Sequence, residues 1–198
     1  MDGMTGGRGG PWCAAVVLTL ALTLAACTDD GEPDPGPTAV PMTLDITTAP
    51  GAGSLGDKAR ADAETEVGDV LSHYLVAGFL GDYPREDFVR AFDGFTGGAA
   101  SSAAQQLDLL TANRYREATS VRPTRLEARI SFLVDGRDVV GGSAAVRFAF
   151  EATTDDGGTE PFTLEGRILL EEADGTWSVF GYDLVRDDPG LPGAEATS

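Results

Sequence analysis

Apolar residues recur along the chain at two periods, and the change of period divides it. From Ala61 to Leu80, the residues Val67, Val70, Leu71, Tyr74 and Leu75 lie at helical spacing. They form one apolar stripe beside a charged face, which predicts a helix. Gly81 and Pro84 end it. Asp82 is placed to cap a second short helix with Pro84 in its first turn. Phe88, Val89, Phe92 and Phe95 would be its apolar side. Gly94, Gly97 and Gly98 then punctuate the chain. Ser102 with Gln105 reads as a capping box, opening a third helix through about Ala112 with Ala103, Leu107 and Leu110 inward.

Beyond that point the period falls to two. Leu126, Ala128, Ile130, Phe132 and Val134 alternate with a mostly polar set, as a half-buried strand does. Asp135-Gly136 marks a turn. A second strand follows through Ala144, Val146, Phe148, Phe150 and Ala152, then a loop at Thr153–Gly158. A third carries Phe162, Leu164, Ile168 and Leu170. Asp174-Gly175 turns again, and Trp177 to Val185 is the fourth. Helices first and an antiparallel meander afterwards predict an α+β fold, with N-terminal helices packed on a four-stranded antiparallel sheet.

Upstream the pattern is of another kind. Trp12 to Ala26 is an uncharged run of fifteen residues rich in Ala, Val, Leu and Thr. A spanning helix needs about 20 residues, so the run fits the apolar part of a secretory signal. Arg8 is the only cation before it, and Asp2 offsets that charge; initiation at Met4 in place of Met1 would leave a positive start. The run ends in Leu24-Ala25-Ala26-Cys27, which resembles the lipobox of bacterial lipoproteins. Small residues at 25 and 26 let an extended backbone enter the peptidase. The resemblance implies that the Cys27 sulfur takes a diacylglyceryl group as a thioether and becomes the new N-terminus. Two or more acyl chains hold a protein on a membrane where one is marginal.

The expected organisation is a signal peptide over 1–26, a lipidated Cys27 with a disordered tether to 56, a domain over 57–188 and a disordered tail over 189–198. Frequent Pro and Gly, with Asp29, Asp30, Glu32, Asp34 and Asp45, mark the tether. Within it Met42, Leu44 and Ile46 alternate with polar residues, a pattern that admits a short edge strand.

Composition narrows the function further. The chain has 198 residues and a formal net charge of -18, so binding nucleic acid by neutralising phosphates is not expected. One His and two Cys leave no material for a His-rich metal site, a Cys-rich zinc site or a disulfide framework. Cys13 leaves with the signal. Abundant Gly and Ala, and thirteen Arg against one Lys, suggest a GC-rich genome.

The order of elements, with the closing stretch Asp174-Gly175-Thr176-Trp177-Ser178-Val179-Phe180-Gly181-Tyr182, resembles the NTF2-like (cystatin-cone) superfamily over residues of about 57 to 188. The resemblance is nearest to extracytoplasmic actinobacterial members, among them lipoproteins, Mce-associated proteins and SnoaL-like modules. It implies a curved sheet around a pocket beneath the first helix. It does not select an activity, because the superfamily includes isomerases, transport factors and modules without catalysis.

Four residues are candidates for that pocket: His73, Tyr74, Trp177 and Asp183. His73, the single histidine, follows Asp69 by four residues, so the two could share a helix edge as base and orienting carboxylate. Otherwise it is a boundary histidine. Tyr74 lies on the buried stripe and its hydroxyl needs a partner. Asp183 shares strand parity with Trp177 and Val179, so it faces the pocket if they do and if no bulge intervenes. Gly181 is where a bulge would flip that parity. A Tyr opposite an Asp in an apolar pocket is how superfamily isomerases polarise a carbonyl and move a proton. Asp155-Asp156-Gly157-Gly158-Thr159-Glu160 is acidic but lacks calcium-loop spacing and reads as a hairpin loop.

These features lead to an expectation of a lipid-anchored protein on the extracytoplasmic face of the cell membrane. Its domain would bind a partner protein or a small apolar ligand without catalysis and without a cofactor or metal. The alternative is an isomerase or dehydratase using the pocket Tyr, Asp or His. A third reading is dimerisation through the outer sheet face, softened by Leu133, Ala145 and Leu169.

Overall fold

A computed structural model describes residues 43–48 and 55–189, all within one compact unit, Val40–Ser198. The signal run, the Met1 or Met4 start, Cys27 and most of the tether and tail lie outside the described residues.

Strand β1 (Asp45–Thr48) precedes helix α1 (Asp57–Gly78). Short helices α2 (Gly97–Ala104) and α3 (Leu107–Leu110) follow, with 3-10 turns at Val89–Phe92 and Ala112–Tyr115. Strands β2 (Ser120–Asp135), β3 (Asp138–Thr153), β4 (Thr159–Ala173) and β5 (Thr176–Asp187) complete the chain. The α+β class is as expected. The sheet is not: it has five strands in the order β1-β2-β3-β4-β5, and β1 runs parallel to β2. The four-stranded, wholly antiparallel sheet is thereby corrected. The physical reason lies in α1. Gly68 leaves a notch there, and a Cβ at that position would stand 2.9 Å from Ile46 Cδ1. Ile46 can therefore pack against the helix, and Thr48 Oγ1 donates a short hydrogen bond to Glu64 Oε1. The alternation around Ile46 is thus an edge strand inside the stretch read as tether.

Helix α1 buries Val67, Leu71, Tyr74 and Leu75, the stripe the spacing predicts. The second expected helix does not form. Carbonyls around it are taken by a side chain instead: Arg85 Nη1 donates to Leu80 O (2.6 Å), and Arg85 Nη2 to Ala77 O (2.6 Å) and Asp87 O (2.8 Å). This guanidinium stacks 4.7 Å from the Phe88 ring centroid and places a positive charge at the C-terminal end of α1, where the helix dipole favours one. Val89, expected inward, is 55% exposed on the 3-10 turn. The third helix begins earlier than its capping box suggests. Thr96 is the N-cap, accepting from Ala99 N at 3.5 Å, and the run divides at Gln105-Gln106.

The inner face of the sheet is apolar through its centre. Phe79, just past α1, stacks on Phe150 at 4.5 Å, Phe150 lies 5.1 Å from Phe162, and Tyr115 stacks on Phe162 at 4.7 Å. These rings stack in a continuous layer between the end of α1 and strands β3 and β4. Gly166 in β4 has φ +140°, and a Cβ there would stand 2.1 Å from Asp183 O. Strands β4 and β5 pinch together at this glycine.

Buried phenols make the fold sensitive to alkali. Burial pushes the Tyr83 and Tyr115 hydroxyls from an ordinary 10.0 up to about 12. The unfolded chain releases these protons first, so stability held below pH 10 is lost as pH rises from about 10 to about 12. Thermal melts should show a midpoint that falls steadily over this window, and Tyr115→Phe should flatten the fall. The Tyr115 hydroxyl has no hydrogen-bond partner among the described residues, so the same substitution should leave stability at pH 7 unchanged to within about 1 kcal/mol, or raise it. An unaltered slope would contradict the assignment.

Candidate functional site

The four expected pocket residues do not form one site. Tyr74 is buried, and its hydroxyl donates to Leu110 O at 2.5 Å. Burial raises its pKa above the ordinary phenol value. The hydroxyl is thus spent in joining α1 to α3.

His73 is exposed on α1. Its Nε2 lies 3.1 Å from the Arg90 carbonyl, which can only accept, so Nε2 carries the proton. The expected Asp69–His73 pair is not formed among the described residues; both residues are exposed. Trp177 is buried, edge-on to Phe132 with ring centroids 6.0 Å apart.

Asp183 is exposed, and the cause is a bulge. Leu169 pairs with Gly181 but Leu170 pairs with Val179, so Phe180 is an extra residue. Parity inverts there. Trp177 and Val179 face the core before the bulge, and Leu184 does after it, while Asp183 turns to the outer face. No proton transfer between Tyr74 and Asp183 is available in this arrangement.

The inversion brings another residue inside. The Arg186 side chain is 5% exposed and Asp188 2%. Arg186 Nε donates to both Asp188 oxygens, at 2.9 Å and 2.8 Å. Arg186 Nη1 donates to Asp108 O at 3.0 Å and, through a short bond, to Thr111 O. The guanidinium lies 4.5 Å from the Phe162 centroid and 5.6 Å from that of Tyr115. Arg114 Nη1 reaches Asp188 from the half-exposed side at 3.0 Å. This cluster ties the end of β5 to the carbonyls around α3. Periodicity hides it, because Arg186 and Asp188 read as polar residues at a strand end. The i, i+2 spacing of opposite charges after an apolar strand is the only signal present.

The acidic loop is also satisfied internally. Asp156 Oδ1 accepts from Thr154 Oγ1 (2.6 Å) and Gly158 N (3.1 Å), and chiefly the Thr154 bond holds its carboxyl below the ordinary value. Among the described residues no group of three His, Cys, Asp or Glu is placed to hold a metal ion. No described helix is long and apolar enough to cross a membrane.

What the described residues do offer is surface relief. A depression of about 350 Å³ lies over Asp45, Glu127 and Arg147, and one of about 300 Å³ beside Tyr115, Thr154 and Glu160. A groove of about 510 Å³ crosses the hairpin end of the outer sheet face, between Leu133 and Phe180. None of the three is lined by His73, Tyr74, Trp177 or Asp183. No protein-family profile, curated protein or solved structure matches the chain.

Proposed function

We propose that the protein is a lipoprotein, anchored through Cys27 at the extracytoplasmic face of the cell membrane, whose domain binds a partner protein. The anchor rests on Leu24-Ala25-Ala26-Cys27, set directly at the end of an uncharged run. Binding without catalysis is supported by one observation above the others: the Tyr74 hydroxyl is buried and bonded to Leu110 O, while His73 and Asp183 are exposed, one on α1 and one on the outer sheet face. A small apolar ligand is disfavoured because Phe79, Phe150 and Phe162 occupy the space beneath α1. We further read the domain as a variant of the NTF2-like cone with an added parallel edge strand. The meander of β2 to β5 and the pinch at Gly166 support this.

Cell fractionation tests the anchor. Cys27→Ala should move the protein from the membrane to the soluble fraction, and its retention on membranes would refute lipidation. A photo-cross-linker placed in turn at exposed positions over the domain tests partner binding, with cross-links expected from one face.

A further inference from the structure

The groove between Leu133 and Phe180 differs from the rest of the outer sheet face. Toward the other end, Arg125, Arg129, Arg147 and Arg167 stand among Glu127 and Glu165, and Arg147 pairs with Glu165 at 2.8 Å. Those charges are mixed and partly neutralised. At the hairpin end the face is apolar. Leu133 is 64% exposed, Phe180 47% and Val140 38%.

Two register shifts put these side chains there. Leu133 pairs with Gly141 and Val134 with Val139, so Val140 is the extra residue of β3, as Phe180 is of β5. Both bulges present an apolar side chain to solvent. Between them Gly141 and Gly142 supply a floor without side chains, and Cβ atoms added there would press on the carbonyls of Leu170 and Ser131 at 2.8 Å and 3.0 Å. Beneath the floor Phe132 packs on Trp177. The groove thus has an aromatic wall at Phe180, an aliphatic wall at Leu133 and a backbone floor over packed rings, features shared with interface cores.

Its rim is acidic. The β2–β3 turn carries Asp135 and Asp138, and the β4–β5 end carries Glu171 and Asp174, against Arg137 alone. Among the described residues none of these four carboxylates is in an ion pair. A second copy of a chain with net charge -18 would bring a like-charged rim against this one.

We propose that this groove docks a basic amphipathic segment of a partner protein, seating an apolar side chain between Leu133 and Phe180 while Lys or Arg residues meet the acidic rim. The proposal rests on the partner-binding reading above and names the partner's chemistry.

The full chain, titrated into a fluorescent amphipathic peptide of leucine and lysine at helical spacing, tests it. The expected Kd is roughly 10–100 µM, weakening as salt rises. Phe180→Ser and Leu133→Ser, both at exposed positions, should each weaken binding about tenfold with an unchanged thermal melt. Glu171→Lys should weaken it too. Val76→Ser, at a comparably exposed apolar position on α1, should not. The groove assignment is overturned if the lysine peptide fails to bind, if a leucine–glutamate peptide binds as well, or if Phe180→Ser binds as the wild type does. It is also overturned if sedimentation shows a dimer that Phe180→Ser splits. Cross-links in cells from another face, with the groove variants unaffected, would refute the groove alone. The absence of cross-links from every face would refute partner binding itself.

Discussion

Arg186→Ala should lower the unfolding free energy by about 3–5 kcal/mol, the usual effect of removing one partner from a buried ion pair. Four losses coincide. Asp188, 2% exposed, keeps only the half-exposed Arg114 as a partner. The carbonyls of Asp108 and Thr111 lose a donor. The cation–π contact with Phe162 disappears, and a cavity opens beside the Phe162 and Tyr115 rings. Arg186→Lys should recover little, because an ammonium cannot reproduce a planar fork that bonds a carboxylate and two carbonyls at once. Arg186→Met paired with Asp188→Leu should recover part of the loss, since it removes both members of the buried pair. Urea titration of the wild type and the three variants reads these differences. A loss below about 1 kcal/mol for Arg186→Ala would mean that the pair behaves as an exposed one.

Gly166→Ala should cost about 3 kcal/mol or more. Its φ of +140° lies where side-chain-bearing residues are strained, and the new Cβ would stand 2.1 Å from Asp183 O and 3.0 Å from Leu184 Cα. Both are backbone atoms, so β4 and β5 must move apart, and rotamer adjustment cannot relieve the contact. Gly157→Ala is the control. Its φ is +80°, but nothing lies within 4 Å of the added Cβ, so only the conformational penalty of about 1 kcal/mol remains. Calorimetric melts should separate the two clearly. Equal effects would show that the pinch between β4 and β5 carries no strain.

Much of the fold is legible in the sequence because most of it is periodic. The stripe from Val67 to Leu75 foretells α1, and the alternations through Ile130, Phe148 and Leu164 foretell the inner faces of β2, β3 and β4. The turns at Asp135-Gly136 and Asp174-Gly175 fall where the sequence puts them. The region from Gly81 to Ala112 is less legible. There the backbone is satisfied by side chains such as Arg85 and Thr96, and no repeating pattern records which carbonyl an arginine will reach.

The candidate site shows the same division more sharply. The parity of Trp177 and Val179 assigns Asp183 inward. Parity is the right rule, but one inserted residue reverses it for everything beyond. Gly181 marks the neighbourhood of the bulge; its place is set by Leu169 and Leu170 on the neighbouring strand. That single shift sends Asp183 to solvent, turns Arg186 inward and leaves Phe180 on the outer face. It removes one site and creates the wall of another.

By itself, then, the sequence determined the periodic local features: helix α1, the alternating strands β2 to β5 and the two Asp-Gly turns between them. These follow from side-chain periodicity and from chemistry between near neighbours. Tertiary structure alone decided that Ile46 joins the sheet through the notch at Gly68, that Arg186 and Asp188 are buried together, and that the apolar groove lies at the hairpin end. Each of these depends on how two distant segments meet, in strand register or in packing, which no single segment encodes.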